Sequence, residues 1–264
     1  TLVYGVRARK GFVMLTGEVG TGKTTLLHAL LAQLDPSTAS AFVFNPRLDP
    51  LDFFRVLFDE LGIERECRSK GEYLLALNEF LIERLRRNES TLLIVDEAQN
   101  LSLEMLEEIR LLSNLETPTS KLIQIMLVGQ PELEEMLQRQ DLRQLRQRIV
   151  LRFRLRPFDA QETASYVEER LRLAGYTGKG LFRRSAIKRL QEVTGGVPRL
   201  INIVSDGALL LGYSRDLATL DGVVIDEVAR DLGLLEERGA GERVPVAEPS
   251  GDRRWRTRLR TIFR

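Results

Sequence analysis

The sequence of 264 residues contains one cysteine, one histidine and one tryptophan, and these scarcities close off whole classes of function. Cys67 has no second cysteine to pair with, so an intrachain disulfide is excluded and a reducing, cytoplasmic compartment is expected. His28 alone excludes metal sites built on histidine pairs. No stretch reaches the roughly 18 apolar residues of a membrane span, and no internal repeat is present. The formal net charge is only +1, so composition gives no global case for binding nucleic acid; any basic surface must be local. Only six of the 39 basic residues are lysine. The chain opens at Thr1 without a signal peptide and places sixteen residues before Gly17, which predicts a fragment of a longer protein. With 43% hydrophobic and 29% charged residues, the composition is that of a soluble globular protein of one large or two smaller domains.

The most informative stretch is residues 12–25. An apolar run of strand length, Phe12 to Thr16, feeds a glycine-rich turn with a helix directly behind it. The spacing Gly17-x-x-x-x-Gly22-Lys23-Thr24 matches a phosphate-binding loop in full. Gly17, Gly20 and Gly22 let the backbone turn several N–H groups inward as an anion nest, and Glu18, Val19 and Thr21 contribute through their main chain. The helix that begins near Lys23 adds the positive end of its dipole. Lys23 is expected to reach the β- and γ-phosphates and Thr24 to hold Mg²⁺, with Thr25 completing the loop.

The rest of the chain supplies a matching scaffold. Apolar strands are predicted at 41–44, 91–95 and 122–128, with helices at 22–34, 50–61, 70–87 and 102–115 and helical segments across 131–147. From Ile149 to Arg156, apolar residues alternate with Arg152, Arg154 and Arg156, the period-two pattern of a half-exposed strand at a sheet edge. Strands alternating with helices predict a right-handed parallel α/β sheet over residues 1–156. Beyond Pro157 only helices are expected, at 159–174, 183–194, 199–213 and 222–232, as a small lid spanning 157–235. Residues 236–252 read as a flexible linker, and 253–264 as a basic amphipathic tail.

Leu92-Leu93-Ile94-Val95-Asp96-Glu97 delivers two carboxylates to the C-terminal end of an apolar strand, where parallel sheets place their ligands. Asp96 is expected in the Mg²⁺ shell, and Glu97 is expected to orient or deprotonate the attacking water. The competing reading makes the pair the acidic start of the next helix. Asn100 is read either as a contact to water or a neighbouring subunit or as a helix cap.

With these motifs the chain resembles the AAA+ family of oligomeric ATPases from residue 2 to about residue 235. The resemblance implies a five-stranded parallel P-loop NTPase sheet with flanking helices, followed by an all-helical lid, and ATP with Mg²⁺ as cofactors. It implies that Gln130, ending the fourth strand, senses the γ-phosphate. It also implies an arginine finger reaching into a neighbouring subunit's site. Among Arg143, Arg146 and Arg148 the alignment favours Arg148, then Arg146. Arg199, in Gly196-Val197-Pro198-Arg199, is implied as a second sensor directed at the phosphates. Whole phrases are closer still: Gly-Glu-Val-Gly-Thr-Gly-Lys-Thr-Thr, Val-Asp-Glu-Ala-Gln-Asn-Leu-Ser, Leu-Val-Gly-Gln-Pro-Glu-Leu, Leu-Arg-Gln-Arg-Ile and Gly-Gly-Val-Pro-Arg-Leu-Ile-Asn. They resemble the general secretion pathway A-type (ExeA-like) ATPases, a group that includes pilus-biogenesis and exosortase-associated members. That resemblance implies ATP hydrolysis by a homo-oligomeric ring that assists envelope assembly proteins of a secretion, pilus or exopolysaccharide system. The membrane span and peptidoglycan-binding domain of the ExeA branch have no counterpart in these 264 residues.

The tail holds six arginines in twelve residues, with Trp255, Leu259, Ile262 and Phe263 on one helical face. Such a segment suits an anionic membrane surface, at about 1 kcal/mol per arginine; it also suits the cytoplasmic flank of a span, or a tail with no partner. The expected location is therefore the cytoplasm, peripheral to the inner membrane's inner face. Two other functions compete: a DNA-binding ATPase of the transposition-regulator type, and a nucleotide-gated switch with negligible turnover.

Overall fold

The computed structural model describes residues 5–6, 11–44, 48–118 and 120–235. The linker and tail expected at 236–264, and Leu2 to Tyr4, lie outside the described residues. The chain divides into two compact units that meet in sequence between Arg156 and Pro157.

The first unit is built on five strands: β1 (Phe12–Gly17), β2 (Thr38–Val43), β3 (Ser90–Val95), β4 (Gln124–Gly129) and β5 (Ile149–Leu155). They form one sheet in the order β2-β3-β4-β1-β5, and every pairing is parallel. β1 and β4 are buried along their whole length, as expected of central strands covered on both faces. β5 alternates buried or half-buried residues with exposed ones because it closes the sheet edge.

Among the described residues six helices surround this sheet: α1 (Lys23–Leu31), α2 (Pro50–Leu61), α3 (Lys70–Arg86), α4 (Leu103–Leu112), α5 (Glu132–Met136) and α6 (Arg143–Arg148). Side chains of β1 alternate between two cores, as a pleated strand requires. Phe12 and Met14 join Phe53, Phe54, Leu57, Leu77, Leu106 and Ile109 from α2, α3 and α4. Val13 and Leu15 join Leu27 and Leu30 of α1 on the other face. Each such fully buried side chain contributes about 1.5–3 kcal/mol, which fixes the sheet against its helices and so fixes where its strand ends point.

Local chemistry sets the helix limits. Asp49 and Ser69 cap α2 and α3 by accepting from the N–H of Asp52 and Glu72, and Gly62 ends α2 at φ 67°. Ser102 caps α4 by accepting from Met105 N–H, so the helix cap is Ser102 and not Asn100, which lies in a 3-10 turn, Ala98–Asn100. That turn separates Glu97 from α4, so the two carboxylates are not the first turn of a helix. The fourth strand begins two residues later than the apolar run suggests. Leu122 N–H is taken by Leu115 O, and ladder pairing to β1 and β3 starts only at Gln124 and Ile125.

The second unit is helical: α7 (Ala160–Leu173), α8 (Arg184–Thr194), α9 (Pro198–Ser214) and α10 (Gly222–Asp231). Asp159 and Glu162 form a reciprocal capping box at α7, and Asp221 caps α10. Val167, Leu190, Ile201, Val204, Leu220, Ile225 and Val228 form its core. Among the described residues, no helix is long and apolar enough to cross a membrane.

Candidate functional site

Because β3, β4 and β1 are adjacent and parallel, the residues following each strand arrive at one edge of the sheet: Asp96 and Glu97 after β3, Gln130 after β4, and the glycine-rich loop after β1. Gly17 is required by close approach, since a Cβ there would lie 2.8 Å from Thr21 Oγ1 and 2.9 Å from Leu155 Cβ. Gly20 and Gly22 hold φ values of 81° and 94°, conformations that side chains with a Cβ rarely adopt. Gly22 is the N-cap of α1 and offers no side-chain cap. The first N–H groups of that helix thus remain available to an anion.

Within the loop, Thr21 Oγ1 donates to Glu18 O at 2.8 Å. Lys23 is 7% exposed, and its ammonium donates to Gly17 O at 2.7 Å and Glu18 O at 3.2 Å. The cation is therefore held against the loop by two carbonyls with its charge uncompensated by a direct ion pair among the described residues. Thr24 and Thr25 are exposed in the first turn of α1, as are Glu18 and Val19 at the loop's crown.

Asp96 is buried. Its N–H donates to Val43 O at 3.0 Å, and its Oδ1 accepts from Glu97 N–H at 2.8 Å. Burial raises its pKa above the usual carboxylate range; the Glu97 charge adds to that rise, while the Glu97 N–H and the Lys23 charge oppose it. Among the described residues no group of three or more His, Cys, Asp or Glu is arranged to hold a metal ion by itself. A cation here would be met by one carboxylate, one hydroxyl and phosphate oxygens, a donor set that suits Mg²⁺.

Glu97 occupies the left-handed region at φ 52°, ψ 35°, an uncommon conformation for a residue with a Cβ. Its Oε2 accepts from Gln99 Nε2 at 2.6 Å and from Gln130 Nε2 at 3.2 Å. Gln99 Oε1 in turn accepts from Gln130 N–H at 3.0 Å. Gln99 was given no role by sequence reasoning; the signal available was a polar side chain two residues beyond a strand-end glutamate. A second unforeseen contact lies alongside, where Thr16 of β1 donates to the Glu134 carboxylate of α5.

The arginine candidates divide sharply. The guanidinium of Arg148 donates to Arg110 O at 3.2 Å and to Ser113 Oγ, capping the C-terminal end of α4. Arg146 donates to Gln138 Oε1 at 2.8 Å. Arg143 is exposed and has no hydrogen-bond or ion-pair partner among the described residues. In the helical unit, Gly195 and Gly196 take φ values of 58° and 77°, and a Cβ on Gly196 would fall 2.0 Å from Phe158 O. Pro198 follows at N1 of α9. Arg199 is exposed in the first turn of α9, which carries no acidic residue to offset it.

A family model described as AAA domain matches residues 6–137. The general secretion pathway protein A of Aeromonas hydrophila is 42% identical over 216 residues, covering 81% of this chain. The chain spans 39% of the length of that relative. Among solved structures, Cdc6p of Pyrobaculum aerophilum superposes with a TM-score of 0.63 at 18% identity, covering 87% of this chain and 64% of that one. The Aeropyrum pernix ORC2 protein, in ADPNP–ADP complexes, gives 0.61 at 17% identity, with 87% and 64% covered. The RuvB Holliday junction branch migration motor of Thermotoga maritima gives 0.57 at 16% identity, with 88% and 67% covered. At these identities the structures speak for the fold alone.

Proposed function

The chain belongs to the AAA domain family and is a P-loop ATPase, and from that premise we propose that it hydrolyses ATP to ADP and phosphate as a homo-oligomer that assists assembly of a bacterial envelope machine. The observation that carries the chemistry is the convergence of Lys23, Asp96, Glu97 and Gln130 from three adjacent strand ends at one sheet edge. The likeness to a general secretion pathway protein A supports the envelope role.

In this reading the N–H groups from Gly17 to Thr25 bind the phosphate chain, with Lys23 leaving its loop carbonyls for the β- and γ-phosphate oxygens. Thr24 and Asp96 hold Mg²⁺, which when bound spreads the phosphate charge. Glu97 accepts a proton from the attacking water, and Gln130 donates to the γ-phosphate. Arg199 serves as the second nucleotide sensor, and an exposed positive side chain at the positive end of α9 is understandable if an anion is its partner. One of Arg143, Arg146 and Arg148 completes a neighbouring subunit's site. Residues 253–264 supply attachment to an anionic membrane surface, on the cytoplasmic face of the inner membrane.

A second reading is an ATPase that acts on DNA. Arg152 and Arg154 are exposed on edge strand β5 and could meet phosphates. The test is ATP turnover against protein concentration, with and without anionic liposomes and with and without duplex DNA. Turnover per subunit that rises with concentration, and rises further with liposomes unless 253–264 are deleted, is the expected outcome. Stimulation by DNA alone, lost steeply with added salt, would replace the envelope reading with the DNA one.

A further inference from the structure

We infer that Gln99 is a positioning residue for Glu97: its amide fixes the carboxylate's aim while Gln130 is drawn away to the nucleotide. The inference deepens the proposed hydrolytic reading and rests on it.

The orientation of the Gln99 amide is not free. Its Oε1 accepts from Gln130 N–H at 3.0 Å, a main-chain donor that cannot turn away. Nε2 must then face the opposite way, and it meets Glu97 Oε2 at 2.6 Å. The close fit depends on Gly129, where a Cβ would lie 2.7 Å from Gln99 Oε1 and 3.4 Å from Gln99 N. The left-handed backbone at Glu97 makes the reversal that brings a side chain two residues later back against the carboxylate. Buried Ala98 anchors that turn from below.

Two donors therefore share one carboxylate oxygen. Gln99 and Gln130 both donate to Oε2 of Glu97, and no donor to Oε1 occurs among the described residues. That leaves Oε1 with its lone pairs available to a water proton. The two donors differ in strength and in duty. The Gln130 bond is the longer, at 3.2 Å, and the same amide is the one proposed to reach the γ-phosphate. When it does, Glu97 loses one of its two restraints at the moment its aim matters. Gln99, tied to the Gln130 main chain and not to its side chain, keeps hold. A displacement of about 1 Å in a reacting group can cost about a hundredfold in rate, so the restraint is worth having.

Gln99→Glu separates positioning from support of the turn. The new carboxylate still accepts from Gln130 N–H, so the strand-end turn is kept, but it has no donor for Glu97 and repels it. The expected result is a fall in kcat of about a hundredfold with KM and ATP affinity close to those of the parent. Gln99→Met, which loses both bonds, should fall at least as far. The double variant Gln99→Glu with Glu97→Gln should be no slower than Glu97→Gln alone, since the two residues act as one unit. Parental kcat in a folded Gln99→Glu protein would overturn the inference, as would a loss confined to KM. If Glu97→Gln itself turned over normally in the same assay, it is the underlying assignment of Glu97 that would fall.

Discussion

In the proposed site, residues 17–25 would meet an anion almost entirely with main chain, whereas Glu97, Gln99 and Gln130 hold one another chiefly with side chains. Both structures sit at the same sheet edge, and both depend on glycine, but for different reasons. In the loop, Gly20 and Gly22 supply left-handed backbone that aims N–H groups. Beside the glutamate, Gly129 only makes room for Gln99 Oε1. A backbone site is written in spacing, because each N–H is present whatever the side chain. A side-chain site is written in which strand lies next to which, and here β3 and β4 must be neighbours before Gln99 and Gln130 can meet.

That contrast predicts separable failures. Lys23→Ala removes the one buried ammonium from the loop and should weaken ATP binding by at least about a hundredfold, ~2.8 kcal/mol at ~1.4 kcal/mol per decade; equilibrium titration with a fluorescent nucleotide reads this directly. Turnover should vanish with it. Glu97→Gln leaves the loop intact and should retain ATP while turnover drops by about 10²–10⁴. If the glutamine variant also failed to bind ATP, the loop and the side-chain ring would not be independent parts, and the contrast would be broken.

A smaller effect tests an arginine that sequence reasoning placed at a subunit interface. Arg148 caps α4 within its own chain through Arg110 O and Ser113 Oγ, whereas Arg143 is exposed without a partner among the described residues. Arg148→Ala should lower folding stability by about 1.5–3 kcal/mol, the range for hydrogen bonds to a charged donor, as followed by urea denaturation. Arg143→Ala should stay within about 0.5 kcal/mol of the parent. Mixing each variant with Lys23→Ala subunits then asks which arginine acts across an interface: the variant whose mixture recovers turnover is the finger. Recovery with Arg148→Ala alone would mean that its hold on α4 is released on assembly.

How much of this could be read before folding was known follows from the same contrast. The parallel sheet was legible because Leu92 to Val95 and Phe12 to Thr16 are apolar runs of strand length, as covered strands require, and β5 because arginine alternates with Leu151, Phe153 and Leu155. The turn between β1 and α1 was legible from its glycines, with β1 ending at Gly17 and α1 beginning at Lys23. Helix ends were less so: α1 stops at Leu31 and α4 at Leu112, short of the apolar pattern, because Leu34 and Leu115 continue to pack in turns after the helical bonds cease. Gln99 could not be assigned, since its partner Gln130 lies 31 residues away, just beyond the end of β4. The same holds for Thr16 and Glu134. Arg148 adds a contact of the same kind, since its guanidinium donates to Arg110 O and Ser113 Oγ, 38 and 35 residues away in sequence.

The smallest predicted effect concerns Asp96, where function and stability pull apart. Burial raises its pKa above the usual carboxylate range, so the folded chain binds this proton more tightly than the unfolded chain does. The stability that the proton confers is fully present below the unfolded-state pKa and is lost as pH rises through the raised folded value. Above that raised value the ionised carboxylate is thus a net cost to the nucleotide-free protein. Asp96→Asn keeps an acceptor for Glu97 N–H, now bonded to Oδ1 at 2.8 Å, and carries no charge into the buried site. The variant should therefore melt at a higher temperature than the parent at pH 7. The gain should shrink as the pH is lowered through the raised pKa, because the parent then becomes neutral too. Added Mg²⁺ with nucleotide should raise the melting temperature of the parent far more than that of the variant, whose turnover should be lost. A variant that melts lower at neutral pH would mean that the Asp96 charge is already compensated within the fold, with Lys23 the cation whose charge favours the ionised carboxylate.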